Sequence, residues 1–302
     1  MRHFLSIPDF SKEEILETFE SAAELKAQVK SGTAHRHLEG KALAMIFQKP
    51  SARTRVSFEV GMFQLGGHAL YLGPNDIQIG KRESVADVAR TLSRYVDVIM
   101  ARLFGHEDIL ELAEYAGVPV INGLTDLLHP CQVMADLFTI GEKLGRYENF
   151  KLTFIGDGNN MANSWLNMAT RFSFQLHFAI PEGYDPDPEI LQRARESGLS
   201  EIEIHRDPLQ AAKQADVLYT DVWASMGQEA EAETRKRIFK NYQVNKAVLE
   251  QARPDALVMH CLPAHRGEEI TEDVLEGPQS IVFDEAENRL HVQKAIMLKL
   301  MT

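Results

Sequence analysis

In the stretch KPSARTRVSF, three hydroxyls and two arginines crowd together: Ser51, Arg53, Thr54, Arg55 and Ser57 follow Pro50. The apolar run ALAMIF precedes them and a helical apolar pattern follows, so a strand hands over to a helix at these donors. The first backbone N–H groups of a helix lack intrahelical partners, and the aligned peptide dipoles favour an anion beside them. Hydroxyls and guanidinium forks add donors that match phosphate oxygens. The chemistry expected here is oxyanion binding, phosphate above all. An ordinary helix cap with two solvent-facing arginines would have the same composition.

Other chemistry-bearing residues also stand where strands end. Arg102 closes the run VIMAR, although a surface arginine after a strand reads the same way. In LLHPCQVMAD, His129 and Gln132 are three apart, hence neighbours on one helical turn, and Pro130 suits the first helical position. An imidazole and an amide so placed can hold a polarised carbonyl and its amino group, or they merely begin a capped helix. FIGDGNNMANSW offers Gly156 and Gly158, but Met161 stands at the third glycine position of a dinucleotide loop. Glu182, behind Pro181, is poorly placed as the acidic ribose partner. Asn159 and Asn160 can instead grip a carboxylate or an amine.

Asp221, in DVWASMGQE, puts a carboxylate after a strand, with Ser225, Met226 and Gly227 forming a short turn. It suits a cationic group on a substrate, or it simply caps a turn. Cys261, in MHCLPAHRGEE, ends another apolar strand. A metal reading of His260, Cys261 and His265 lacks the second ligand pair of a structural zinc site. A thiol nucleophile and a residue that only lines the site both remain open. Arg289 opens the last helix and by itself is unremarkable.

These residues need a scaffold. Strand-like runs at 42–47, 68–72, 96–102 and 118–122 alternate with helical patterns at 11–30, 52–65, 85–95 and 107–116. A helix at 131–144 follows and the alternation restarts. Strands are expected at 151–156, 175–180, 201–207, 215–223, 255–262 and 281–286. Helices are expected at 159–172, 187–197, 208–214, through most of 228–252, and at 288–301. This predicts an α/β class with two domains, each a parallel sheet flanked by helices. Ligands of such sheets sit beyond the carboxyl ends of the strands. That rule selects the loops 48–54, 73–84, 102–106, 123–132, 156–160, 221–227 and 261–268.

The bulk numbers restrict the function. A chain of 302 residues exceeds the usual size of one core. Net charge is −12, which disfavours nucleic acid while leaving room for a small anion at a local arginine cluster. The two cysteines, Cys131 and Cys261, form no CxxC pair, so a reducing, cytoplasmic location is expected. The first residues, MRHFLSIPDFSKEEI, lack a signal-peptide core, and no apolar run is long enough for a membrane span.

Taken in order, SARTR (51–55), HPCQ (129–132), DVWASMG (221–227) and HCLPAHRGEE (260–269) resemble the aspartate/ornithine carbamoyltransferase family over nearly the whole chain. One departure is Ala52, where the family motif usually has threonine; it loses a hydroxyl and keeps the backbone N–H. The resemblance implies that residues 1–133 with the C-terminal helix 287–302 bind carbamoyl phosphate. It implies that residues 134–286 bind ornithine, with the active site in the interdomain cleft. Carbamoyl transfer to the δ-amine of L-ornithine would give L-citrulline and phosphate.

By the same resemblance, Ser51, Ala52, Arg53, Thr54, Arg102, His129, Gln132, Cys261, Leu262 and Arg289 contact carbamoyl phosphate. Gln78 would join them from a neighbouring subunit of a homotrimer. Asn160, Asp221, Ser225 and Met226 would hold ornithine, and Arg102, His129 and Cys261 would be catalytic. No metal, cofactor, nucleic acid or membrane is implied. Another carbamoyltransferase, acting on putrescine or aspartate, is an alternative. So are a nucleotide-dependent dehydrogenase and a non-catalytic small-molecule binding protein. An aspartate enzyme should present cations where Asp221 stands, and a putrescine enzyme has no need of the SMG turn.

Overall fold

Short apolar runs become strands here because both faces of each sheet are covered. The computed structural model describes residues 1–80, 82–224 and 229–302. The chain divides into two compact units, residues 1–138 with 287–302, and residues 139–286. The first holds Ala42–Phe47 (β1), His68–Leu72 (β2), Val98–Arg102 (β3) and Val120–Leu124 (β4), all parallel in the order β2-β1-β3-β4. β1 and β3 are buried almost throughout, as interior parallel strands must be. Lys12–Ser31 (α1), Ala52–Gln64 (α2), Val85–Leu92 (α3), His106–Tyr115 (α4) and the part of Pro130–Leu144 (α5) up to Phe138 belong to it. The Ser11–Glu14 capping box predicted for α1 is present. The fourth strand starts later than its apolar run because Pro119 has no N–H to give the ladder; its carbonyl accepts from Ile99 N at 2.9 Å.

The second unit holds Lys151–Ile155 (β5), Gln175–Ala179 (β6), Glu201–His205 (β7), Val217–Thr220 (β8) and Leu257–His260 (β9). These five are parallel in the order β7-β6-β5-β8-β9. Its helices are Asn160–Met168 (α6), Pro188–Glu196 (α7), Pro208–Ala211 (α8), Ala232–Phe239 (α9), Lys246–Leu249 (α10) and Glu272–Leu275 (α11). Among the described residues, no helix is long and apolar enough to cross a membrane.

Two expectations fail. The segment 281–286 is not a strand. Ser280 makes a single bridge to Val258, and the chain then enters the helix Val282–Met301 (α12). The β-branched Ile281–Val282 pair suggests extension, but Glu285 settles the matter. Its buried carboxylate accepts from Tyr219 Oη at 3.2 Å and from the backbone N–H of His260 at 3.1 Å. A carboxylate needs such donors to be buried. The region 228–252 is also less helical than predicted: α9 and α10 are separated by a turn in which Val244 bridges to Ile270.

The later part of α12 belongs to the first unit and brings unusual polarity into it. Lys26 donates to Asn288 at 2.8 Å, and Lys294 lies between His35 and Gln64 at 3.1 and 2.9 Å. Burial holds the Lys294 ammonium down at about 8. His291 is pushed down to about 3, first by burial and then by Lys294, Lys26, Lys30 and His35. Its folded pKa is therefore below the ordinary 6.5, and the unfolded chain binds the extra proton as pH falls. Stability from this group is complete above 6.5 and is lost as pH drops toward 3. Urea midpoints measured across that window should fall with acidification, and His291→Gln should flatten the slope.

Candidate active site

Ser51 caps α2 from an extended backbone, its Oγ accepting from Thr54 N at 3.3 Å. Thr54 is fully buried, and its hydroxyl accepts from Ser51 Oγ at 3.2 Å and from Arg289 Nη2 at 2.9 Å. Both bonds use oxygen lone pairs, so the Thr54 proton is oriented to donate elsewhere. Ala52 is the first helical residue and is exposed, and Arg53 is half-buried. Arg55 faces another way: it pairs with Glu59 at 3.1 Å and lies over the Tyr71 ring at 4.1 Å.

Arg102 ends β3 and is 6% exposed; His129, immediately before α5, is 5% exposed. Burial pushes the His129 imidazole well below its usual range, and the charges of Arg289, Arg102 and Arg53 push it further. Guanidiniums from three separate elements therefore act on one neutral imidazole. Arginine stays charged at any ordinary pH, so the cluster is strongly positive and suited to an anion, with a neutral imidazole within it. Gln132 is buried and donates through Nε2 to Asp136 Oδ1 at 2.8 Å, which fixes how its amide faces. Cys131, its neighbour, is buried, and burial pushes its thiol up to about 12, so it is inert. Gln78 is exposed, at a left-handed φ of 45°, in the loop after β2. A bulky residue adopts that conformation at a cost and usually for a reason.

In the second unit the geometry centres on Asp221, which is 8% exposed. Its Oδ2 accepts from Asn159 Nδ2 at 2.8 Å; its Oδ1 accepts from Val222 N at 2.8 Å and from Cys261 Sγ at 3.0 Å. Asn159 also caps α6 through its Oδ1, so its side chain is committed to structure, and Asn160 begins the helix behind it. Cys261 and Leu262 follow β9, and Leu262 has a left-handed φ of 56°. Ser225 and Met226 lie outside the described residues.

The loop after β9 is pinned from beneath. His260 is fully buried, its Nε2 standing 3.0 Å from Glu269 Oε1 and its Nδ1 accepting from Leu262 N at 2.8 Å. Glu269 also accepts from His265 N at 2.5 Å. Both ring nitrogens of His260 are thus engaged, although Asp221, His260 and Cys261 have potential ligand atoms within 4.8 Å of one another. Asp157 and Arg235 form a buried ion pair at 2.8 Å, and Arg235 also donates to Trp223 O at 3.0 Å. Burial, with Asp221 adding to it, raises the Asp157 carboxyl to about 6 against the pull of Arg235. Asp157, Arg235 and Glu269 support the site without a local sequence signal. In GDG only the glycines belong to a motif, and an arginine inside an exposed-looking helix gives no local sign of burial.

The dinucleotide reading of this loop has no room. A Cβ on Gly158 would stand 2.4 Å from backbone atoms of Tyr184, Asp185 and Pro186, and Gly158 N already donates to Tyr184 O at 2.9 Å. The glycine is required by close packing of the chain on itself.

Comparison with known proteins adds two family matches. Residues 2–142 match the aspartate/ornithine carbamoyltransferase carbamoyl-P binding domain, and residues 148–300 match the Asp/Orn binding domain. The chain is 56% identical to an ornithine carbamoyltransferase of Thermococcus kodakarensis, covering 99% of this chain and 96% of that one. It is 57% identical to one of Syntrophus aciditrophicus, covering 98% of each. The solved structure of ornithine carbamoyltransferase from Pyrococcus furiosus superposes with a TM-score of 0.95 at 54% identity, covering 99% of this chain and 97% of that one.

The geometry of the first unit makes its own prediction. Arg53→Ala should weaken inorganic phosphate binding by about tenfold to a hundredfold, the loss of one or two charge-assisted bonds. Arg55→Ala, which removes a group facing Glu59 and Tyr71, should leave it nearly unchanged. Isothermal titration of both variants decides this; equal losses would show that only general positive charge matters. Carbon-detected NMR of His129 should report a neutral ring well below the usual midpoint of 6.5.

Proposed function

The chain belongs to the aspartate/ornithine carbamoyltransferase family, and from that premise we propose that it transfers the carbamoyl group of carbamoyl phosphate to the δ-amine of L-ornithine, releasing L-citrulline and phosphate. The observation that carries the phosphate half is the neutral His129 under the charges of Arg53, Arg102 and Arg289. We assign residues 1–133 with 287–302 to carbamoyl phosphate and residues 134–286 to ornithine.

In this reading the N–H groups at the start of α2, from Ala52 onward, hold the phosphate with Ser51, Arg53, Thr54 and Arg102. Arg102, His129 and Thr54 donate to the carbamoyl oxygen. Because His129 is neutral, it stabilises the developing oxyanion by hydrogen bonding without bringing in a proton of its own. Gln132, its Nε2 turned to Asp136, offers its carbonyl oxygen to the carbamoyl amine, together with the backbone carbonyls of Cys261 and Leu262. Arg289 fixes Thr54 and completes the positive set. Asp221 takes the α-ammonium of ornithine, with Asn160, Ser225 and Met226 completing that subsite, and Cys261, tied to Asp221 at 3.0 Å, faces the δ-amine.

The δ-ammonium, ordinarily near about 10.4 like lysine, must first lose a proton to expose its lone pair. The nitrogen then attacks the carbamoyl carbon, the C–N bond forms, and the C–O bond to phosphate breaks. The departing phosphate takes the second amine proton. Positioning two substrates and stabilising one oxyanion account for the acceleration without any cofactor.

A second copy of the chain is part of this proposal. On α2, Val56, Val60 and Phe63 are 56%, 36% and 77% exposed around a groove of roughly 780 Å³ that Ala69 and Tyr71 of the edge strand β2 also line. Apolar side chains grouped on a sheet edge favour association. They support a homotrimer in which Gln78, from the loop that follows β2, reaches a neighbour's phosphate site. A cytoplasmic location fits the two free thiols.

Citrulline formation assayed in parallel with ornithine, putrescine and aspartate tests the assignment: ornithine should be used at least about a hundredfold better, a difference of roughly 3 kcal/mol. Comparable turnover of putrescine would remove the α-ammonium role of Asp221. Asp221→Asn should raise the KM for ornithine far more than that for carbamoyl phosphate, and equal changes in both would count against the division of labour.

A further inference from the structure

Away from every residue assigned above, His177, Glu203 and His205 share one face of the second unit's sheet. Glu203 is the register partner of His177 across β6 and β7, and His205 lies two residues further along β7, hence on the same face. Their donor atoms converge. His177 Nδ1 stands 3.1 Å from His205 Nε2, His205 Nε2 stands 3.0 Å from Glu203 Oε2, and His177 Nδ1 stands 3.7 Å from Glu203 Oε2. Ligands at about 2.0–2.1 Å from a zinc ion, at tetrahedral angles, are about 3.3–3.4 Å apart. The three distances bracket that value.

We propose that His177, Glu203 and His205 form a site for a divalent transition cation of the zinc, cobalt or nickel class, with its remaining positions open to water. Two imidazoles and one carboxylate suit these ions; magnesium and calcium prefer sites built from oxygen alone. Protein closes one side and solvent the other: the side chains of His177, His205 and Glu203 are 9%, 22% and 47% exposed. In the absence of a cation, one N–H···N hydrogen bond links the two rings; a cation would replace that proton and draw on the lone pairs of both rings and of the carboxylate. Burial, then the charge of Lys151, holds His177 below its ordinary 6.5, so its ring is neutral and able to ligate.

The other charged groups facing the cluster are Lys151 and Glu201. Lys151 turns its ammonium to Lys213 O at 2.8 Å, and Glu201 accepts from Gln175 Nε2 at 2.9 Å, so neither occupies the centre. A cation held here ties the edge strand β7 to β6. It binds only the folded chain's convergent donors and therefore stabilises the fold by mass action.

The test uses the full-length chain carrying Cys261→Ala, so that thiolate binding near Asp221 does not contribute. Zinc and nickel are titrated calorimetrically, and thermal unfolding is followed with and without metal. One binding event per chain and a metal-dependent rise in the unfolding midpoint are expected. Adding His205→Asn or, separately, Glu203→Gln should weaken binding at least about tenfold and abolish the rise. Both side chains are partly exposed, so unfolding midpoints without metal should stay near the parent's; if one falls, the other variant decides. Binding that survives both substitutions, or no binding in the parent, overturns the site.

Discussion

The hydrogen bond from Arg289 to Thr54 joins residues 235 apart, and the first unit's arginine cluster depends on it. It carries a guanidinium from the last helix to the hydroxyl at the start of α2. It also fixes which way that hydroxyl can donate. The same guanidinium is the largest of the charges acting on His129. Remove it, and the start of α2 becomes a capped helix end with two arginines, Arg53 and Arg102, left near His129. A chain with net charge −12 needs such local concentration to hold an anion at all. Three like charges brought together repel one another, so α12 must be anchored firmly. Its partners, the buried Lys26 and His35 and the half-buried Gln64, supply that anchorage.

The second unit solves the opposite problem with the opposite charge. Asp221 is nearly buried and keeps its carboxylate satisfied by an amide, a backbone N–H and a thiol. None of those donors is a cationic partner. Glu285 holds the last residue of β9 and Glu269 the loop that follows, where Leu262 sits in a conformation unfavourable for a branched side chain. Buried carboxylates that receive backbone N–H bonds are rigid supports, because moving the loop would leave them unpaired.

Much of the fold was legible in the sequence. ALAMIF and HALYL were read at their observed boundaries because each run is bounded by turn or cap residues. The failures came where a local pattern was overruled at long range. IVFDEA reads as a strand until Glu285 is seen to serve Tyr219 and His260, neither of them near in sequence. The loops that carry chemistry were legible for a simple reason. Parallel sheets place ligands beyond strand ends, and the polar residues stand where the apolar runs stop. Asp157 with Arg235 was not legible, since a salt bridge across 78 residues leaves no periodic trace in either segment.

The sequence by itself determined the strand–helix alternation, the donor types and their positions at strand ends, because these follow from local periodicity and side-chain chemistry. Only the tertiary structure decided which donors meet. It turned Arg55 outward onto Glu59 and Tyr71 and gathered Arg53, Arg102 and Arg289 about His129. It also kept that imidazole neutral. The physical reason is that burial and Coulomb interaction depend on distance in space, and neighbours in space here are often a hundred residues or more apart along the chain.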